Sequence, residues 1–421
     1  MTQNSAGDRP RITVVGAGIV GTACALQLQR DGYQVTLLDQ TGIGEGCSFG
    51  NAGCLSVASV VPMALPGMLK QVPKWLADPM GPLTVRWPYL PRALPWLLQW
   101  VRAGNEAQAR ATAQPLANLF GATFPGYRSL LDAAQYDSLI RQTGHLYVWR
   151  TLARSSGDVL AQSIRDATGV RSQALNAGEA RELEPALATD IQSGLLLPDN
   201  GFTINPERLV KTLAANFVAA GGTFLRRKVL DFEMGEHGPT RLHTDCGTLP
   251  VSKLVLCAGA WSKRLGAKLT GIRIPLDTER GYHATLGAPT VQPSRPIMDC
   301  ERKFIATPME GGLRIAGTVE IGGLDAPPDY RRARILMRQG QQLFPGLAFA
   351  DDSQWMGHRP SLPDSLPVID RSERDRNVFF AFGHGHLGMT GAPGTAQLIA
   401  DLVSERAPFI DARPYGLQRF C

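Results

Sequence analysis

The side chains best suited to chemistry lie far apart in this chain. They are an arginine in Gly357-His-Arg359-Pro360, a histidine pair in Gly383-His384-Gly385-His386-Leu387-Gly388, and a carboxylate, Asp39, behind the turn Gly16-Ala-Gly18-Ile-Val-Gly21. The planar fork of Arg359 can hold a carboxylate through two parallel hydrogen bonds, and Pro360 and Pro363 stiffen the segment that presents it. An internal ion pair and a cofactor phosphate are the other partners open to it. Arg280 competes for the same task, although Glu279 beside it suggests a solvated pair. Two histidines two residues apart hint at a metal, but no third or fourth ligand accompanies them, so none is expected.

The elements that must position these groups begin with a nucleotide-binding unit. An apolar, β-branched strand (Ile12 to Val15) runs into Gly16, which can take a backbone conformation closed to residues with a Cβ. Gly18 admits a pyrophosphate close to the main chain, Gly21 lets the following helix pack on the strand, and the helix N-terminus faces the phosphates. The second strand, Val35 to Asp39, ends in the ribose-binding acid about 20 residues past the glycines, where a carboxylate repels a 2′-phosphate. NADP is disfavoured and FAD or NAD remains. Gly42 to Gly53 is a loop of glycine and small polar residues suited to backbone contact with a ligand.

Composition bounds the rest. With 421 residues, 44% hydrophobic and 19% charged, the chain reads as a globular protein of two domains. Met1 to Pro10 lacks an apolar core of a signal peptide, and seven cysteines without a CxxC pair argue for reduced thiols, so a cytoplasmic protein is expected. Part of the net charge of +6 sits between Val61 and Gly104, where five basic residues face one acid and four of the seven tryptophans occur. That composition suits the anionic inner face of a membrane; a Pro-broken helical excursion with packed tryptophans is the alternative. No motif points to nucleic acid.

Further elements follow from pattern. Ala107 to Leu139 reads as one or two helices, Gly144 to Arg150 as a strand, and Ser156 to Leu183 as helical. Asn205 caps a helix opened by Pro206, with Leu209, Leu213 and Phe217 as its buried stripe and Gly221-Gly222 closing it. Ile272 to Val319 alternates in short strands, Tyr330 to Leu343 is helical, Met356 to Asp364 is a loop, Val378 to Phe382 is a strand, and Ala396 to Ser404 is a final helix. A parallel sheet completed so late implies a discontinuous cofactor domain: residues 10–60, 200–265 and 355–421, with 61–199 and 266–354 as the substrate domain. The fold class is α/β, a discontinuous Rossmann-like domain plus an α+β substrate domain with an antiparallel sheet.

Together, Val14-Val-Gly-Ala-Gly-Ile-Val-Gly21, Cys47-Ser-Phe-Gly-Asn51-Ala-Gly53, Leu256-Cys-Ala-Gly-Ala-Trp-Ser262, Gly357-His-Arg359-Pro and Phe382-Gly-His-Gly-His-Leu-Gly388 resemble the FAD-dependent amine oxidoreductases of the D-amino acid oxidase and glycine oxidase type, and within them the bacterial D-amino acid dehydrogenases. Three positions depart from the pattern: Asp39 where Glu is usual, Gly50 in the loop, and His386 and Met389 in the last motif.

The resemblance implies FAD and oxidation of a D-amino or imino acid to the imino acid. Hydride passes from the α-carbon to flavin N5, and quinone or another carrier accepts the electrons. An oxygen-using glycine or sarcosine oxidase, and a dehydrogenase of D-hydroxyproline, opines or other N-substituted amino acids, are alternatives. It implies Arg359 on the substrate carboxylate, Tyr282 facing the ligand with a second bond to that carboxylate, and His386 near the substrate amine. No strong general base is compulsory, because a desolvated cationic pocket lowers the ammonium pKa. For the cofactor it implies amides of Gly16, Gly18, Ile19, Val20 and Gly21, then Asp39 and Gln40, with Ser48, Asn51, Ala52 and Gly53 along the ring. Val229, Ala258, Gly259 and Trp261, and Gly383, His384, Gly385, His386, Leu387, Gly388, Met389 and Thr390, complete the expected set.

Overall fold

A computed structural model describes residues 10–421 apart from Pro79; the rest of the N-terminal stretch read above lies outside the described residues. Six strands form one sheet in the order Thr223–Arg226, Gln34–Asp39, Arg11–Val15, Lys253–Leu256, Val378–Phe382 and Val368–Arg371. All neighbours are parallel except the last pair. Burial on both faces explains why strands such as Val378–Phe382 are apolar throughout.

One face is covered by the helices Ile19–Arg30, Pro206–Ala219 and Gly388–Val403, the other by the three-stranded meander Val229–Gly235, Gly238–Thr244 and Gly247–Pro250 with the helix Ser262–Thr270. The Asn205 side chain accepts the Arg208 N–H and Pro206 opens the helix, as the sequence predicts. The helices Glu106–Gly121 and Thr123–Leu130 also bury Leu116, Leu119, Phe120, Phe124 and Tyr127 in this core. That corrects the division drawn from sequence, which puts residues 61–199 wholly with the substrate domain.

A nine-stranded sheet carries the remainder, with Asp351–Ser361, Asp277–Gly287, Gly312–Ile321 and Phe304–Met309 as successive antiparallel neighbours at one end. Helix Arg331–Leu343 packs Leu336 and Leu343 against Tyr282, Ala284 and Leu286 on one face of it. The other face receives the loop before Cys54.

Three sequence expectations need correcting. Met356 to Asp364 is mostly strand, not loop: it continues Asp351–Ser361 at the sheet edge, where a proline such as Pro360 is tolerated. Ser156 to Leu183 breaks into the helices Ser156–Ala167 and Ala177–Leu183 around the strand Gln173–Asn176, because Gly169 turns the chain at φ 72°. The last helix starts at Gly388, eight residues earlier than the pattern suggests. Gly and Pro hide this turn, and tertiary contacts supply what propensity lacks. Pro393 has no N–H for the Met389 carbonyl, so the Tyr127 hydroxyl donates to it at 2.7 Å, while Thr123 Oγ1 donates to the Thr390 carbonyl at 2.8 Å.

Candidate active site

At the carboxyl ends of the parallel strands Gly16 has φ 110°, and a Cβ there would lie 2.3 Å from the Cys257 carbonyl oxygen. A Cβ on Gly21 would lie 1.8 Å from the Gly16 oxygen, so the helix can sit on the turn only with glycine at this position. Asp39 Oδ2 accepts the Ala17 N–H at 2.8 Å and Oδ1 accepts the Thr41 N–H at 2.9 Å, which fixes the acid at the end of its strand. The Gly16 amide donates to the Leu38 carbonyl, and Ser48 Oγ accepts the Ile19 N–H at 2.9 Å. Of the five amides expected, those left free for a ligand are therefore Gly18, Val20 and Gly21, while Gly16 and Ile19 are used within the protein; the helix N-terminus gives Val20 and Gly21 no internal acceptor.

The glycine-rich loop lies on the open face of the large sheet. His283 Nδ1 meets the Gly50 carbonyl at 2.9 Å, Arg314 Nη1 donates to the Asn51 carbonyl at 2.7 Å, and the Gly53 amide donates to Asn51 Oδ1 at 2.8 Å. Trp355 stacks on His283 at 5.3 Å and fills the space beside Gly50, where a Cβ would come within 2.0 Å of its ring. The departure at Gly50 thus has a packing cause. Ser48 is buried and Ala52 half-buried along this loop.

Opposite the loop, Gly383 and Gly385 take φ 86° and 55°, and the Gly385 amide donates to the Pro360 carbonyl. His384 turns inward, its Nε2 2.9 Å from Thr395 Oγ1, and burial pushes its pKa down to about 3. Leu387 caps the helix that begins with Gly388. Thr390 Oγ1 accepts the Ser56 N–H at 2.9 Å. His386 is exposed, and desolvation by the surrounding protein, then the Arg359 charge, lower its pKa to about 4.

Ala258, Gly259 and Trp261 follow the strand Lys253–Leu256, with Gly259 at φ 53° and Trp261 edge-on to His358 at 5.6 Å. Val229 begins the meander, three residues past Arg226, which pairs with Asp39 in the sheet. Gln40 is half-buried beside Asp39.

Arg359 lies on the same open face. Its side chain crosses Gly281, whose Cβ would be 2.2 Å from the guanidinium, and donates to the carbonyls of Thr318 at 2.9 Å and Gly317 at 3.4 Å. The ladder is irregular here, between Arg280 and Tyr282, and Thr318 has φ 59°. Such a conformation is strained for a β-branched residue and serves to turn its carbonyl onto the arginine. Two neutral acceptors orient the guanidinium without cancelling its charge. Enclosure lowers the Arg359 pKa, opposed by the charge of Glu279 and then that of Cys47.

Tyr282 and Arg280 face the other way, which corrects two expectations. The Tyr282 hydroxyl donates to Glu320 Oε2 at 2.5 Å and accepts the Asp329 N–H at 2.9 Å, so its phenol is used within the protein on the face away from Arg359. Arg280 is fully buried beside Glu320 at 3.1 Å, not solvated, and has no carboxylate-binding fork to offer. Alternation along Asp277–Gly287 separates these two residues from Glu279, Gly281 and His283, a distinction that needs the strand's orientation. Gly281, Thr318, Trp355 and Arg314 went unmarked in the sequence; a glycine inside a strand next to Arg280 was the one available signal of a close approach. Among the described residues no group of three metal-ligating side chains occurs.

This arrangement, a free helix N-terminus, a ribose-side acid and a half-buried cation across a glycine-lined face, fits a flavin dinucleotide beside an anionic small molecule. Comparison with known proteins agrees. The chain is 37% identical over 416 residues to a D-amino-acid oxidase of Bradyrhizobium diazoefficiens, covering 97% of this chain and 98% of that one. It is 31% identical to a D-amino acid dehydrogenase of Paramagnetospirillum magneticum, covering 97% and 99%. The fold is similar to that of glycine oxidase from Geobacillus kaustophilus (TM-score 0.73, 22% identity, covering 98% and 100%) and of L-proline dehydrogenase from P. horikoshii (TM-score 0.74, 19% identity, covering 98% of each). The DAO profile of FAD-dependent oxidoreductases matches residues 11–402, and the chain belongs to that family.

Proposed function

We propose that the protein is a dehydrogenase of D-amino or imino acids, with Arg359 as the carboxylate anchor. The observation that carries this reading is the guanidinium set over Gly281, held by two carbonyls on the open face of the sheet and near enough to His386 for its charge to lower that pKa. Bound FAD supplies the electron sink for the α-carbon hydride. Gly18, Val20 and Gly21 amides hold its pyrophosphate and Asp39 its ribose, with Gln40 and Val229 toward the adenine. Ser48, Asn51, Ala52, Gly53, Ala258, Gly259, Trp261 and the Gly383–Thr390 segment enclose the ring. Arg359 grips the substrate carboxylate, fixing which face of the α-carbon is presented. His386, kept neutral, borders the substrate amine.

Anaerobic mixing with D-, L- and N-alkyl amino acids tests the substrate class: bleaching of the flavin by D-amino or imino acids is expected, and no bleaching by any member of the panel overturns the reading. The relative named D-amino-acid oxidase favours a second reading, with oxygen as acceptor. Peroxide formed in step with imine on aeration decides for it.

The quinone reading rests on residues 61–104. Helices Met68–Ala77 and Leu90–Ala103 expose Leu69, Leu76, Leu94 and Leu98 among Lys70, Lys74, Arg92 and Arg102, and Trp87 is 69% exposed. Trp96 instead is buried, donating to the Ser361 carbonyl. No described helix is long and apolar enough to cross a membrane. This surface suits attachment to anionic lipid, next to a quinone pool. Sedimentation with anionic vesicles at low salt and release at high salt are expected; indifference to both sinks the membrane contact.

A further inference from the structure

Glu279 and Arg359 are direct partners in the antiparallel ladder and therefore share one face of the sheet, with Cβ atoms about 5 Å apart by ladder geometry. Glu279 is buried, only 7% exposed, and Arg359 is half-buried. Opposite charges so placed would ordinarily close into an ion pair, since a lone buried charge is costly. Here they do not: Arg359 reaches away across Gly281 to the Gly317 and Thr318 carbonyls, and its link to Glu279 is through space alone. The sheet thus holds a cation and an anion on one face with a gap between them. A ligand carrying a carboxylate and an ammonium on the same carbon fits such a pair in one orientation only.

We propose that Glu279 is a catalytic residue that receives the ammonium proton of the bound amino acid. The inference rests on the reading of Arg359 as the carboxylate anchor. With the carboxylate on Arg359, the ammonium N–H bond breaks and its proton forms a new O–H bond on Glu279. The freed nitrogen lone pair would then form the C=N bond as the α-carbon hydrogen left with its electron pair, which FAD would accept when bound. Glu279 gives its proton to solvent after the product departs.

The surroundings suit that task. Burial raises the Glu279 pKa above the ordinary carboxylate value, opposed by the charge of Arg359 and the neighbouring Ser361 hydroxyl and assisted by Asp277. A carboxylate tuned upward is a better proton acceptor near neutral pH. The other titratable groups toward this space are His386, whose pKa desolvation and then the Arg359 charge lower, and Cys47, whose thiol burial pushes up; Arg280, Tyr282 and His358 lie on the opposite face.

The test is the pH dependence of kcat/KM for D-alanine in the holoenzyme and in Glu279→Gln and Glu279→Asp, with benzoate binding measured by the flavin absorbance shift. For Glu279→Gln the expected result is a loss of at least about 100-fold at pH 7 that shrinks tenfold per pH unit as the substrate arrives already deprotonated. Benzoate affinity should be kept or increased, and Glu279→Asp should recover most of the activity with its pH profile displaced. Loss of under threefold at pH 7 overturns the proposal. So does an equal loss at every pH accompanied by lost benzoate binding, which marks a structural role. So does a loss confined to D-arginine and D-lysine, which makes Glu279 a reader of cationic side chains. If Glu279→Gln does not fold, a Glu279→Asp profile displaced along the pH axis supports the assignment and an unshifted one rejects it. A wild-type flavin that no amino acid bleaches defeats the functional reading itself, independently of Glu279.

Discussion

At the scale of single residues, the site depends on room as much as on charge. Gly281 is the clearest case, because any Cβ there occupies the path of the Arg359 guanidinium. Gly281→Ala should leave the melting temperature nearly unchanged, since the colliding atoms are the far end of a flexible side chain. KM for a D-amino acid should rise at least tenfold as the guanidinium is displaced. An unchanged KM would show that Arg359 does not reach substrate by this route. For Arg359 the sequence marks only the residue type, in Gly357-His-Arg-Pro; its place over Gly281 follows from the strand pairing. Tyr282 was misread for a reason that no inspection of residue types repairs: its neighbour Gly281 faces the recess, and one step along a strand reverses the face.

At the scale of elements, the nucleotide end was legible nearly in full, since strand, glycines, helix and Asp39 are adjacent in sequence and each has a local cause. The Gly388–Val403 helix was not, because its first turns hold Gly391, Pro393 and Gly394 and persist through partners distant in the chain. Tyr127 supplies the hydrogen bond that Pro393 forfeits. Tyr127→Phe leaves the buried Met389 carbonyl without a donor and should cost about 1–3 kcal/mol of unfolding free energy by urea titration. A change under 0.3 kcal/mol on that order-of-magnitude scale would mean that the carbonyl is satisfied otherwise. The helix segment 106–130 was assigned to the wrong body for a related reason: its apolar stripe announces burial, and nothing in the stripe says against which sheet.

At the scale of the whole molecule, buried histidines set the acid limit. Desolvation lowers the pKa of His145 to about 4 and of His283 and His384 to about 3, against the ordinary histidine value of 6.5. Below pH 6.5 the unfolded chain binds protons at these positions while the folded one does not, so stability is complete above that value and falls as pH drops toward the folded pKa values. The melting temperature of the holoenzyme should fall steadily from pH 7 to pH 5, and a flat profile would show that these rings are not neutral in isolation. The overall plan was readable because the five motifs keep their order across the chain. The pairing of Asp351–Ser361 with Asp277–Gly287, which brings Arg359 over Gly281 and opposite Glu279, is a long-range contact that no local pattern encodes.

The most direct measurement compares how fast D-alanine and D-alaninamide bleach the enzyme-bound flavin without oxygen, in the wild type and in Arg359→Ala. A carboxylate gripped by a half-buried guanidinium predicts a preference of at least about 100-fold for the acid over the amide, nearly abolished in the variant. Equal rates for acid and amide in the wild type, or a preference that survives the loss of Arg359, would contradict the account.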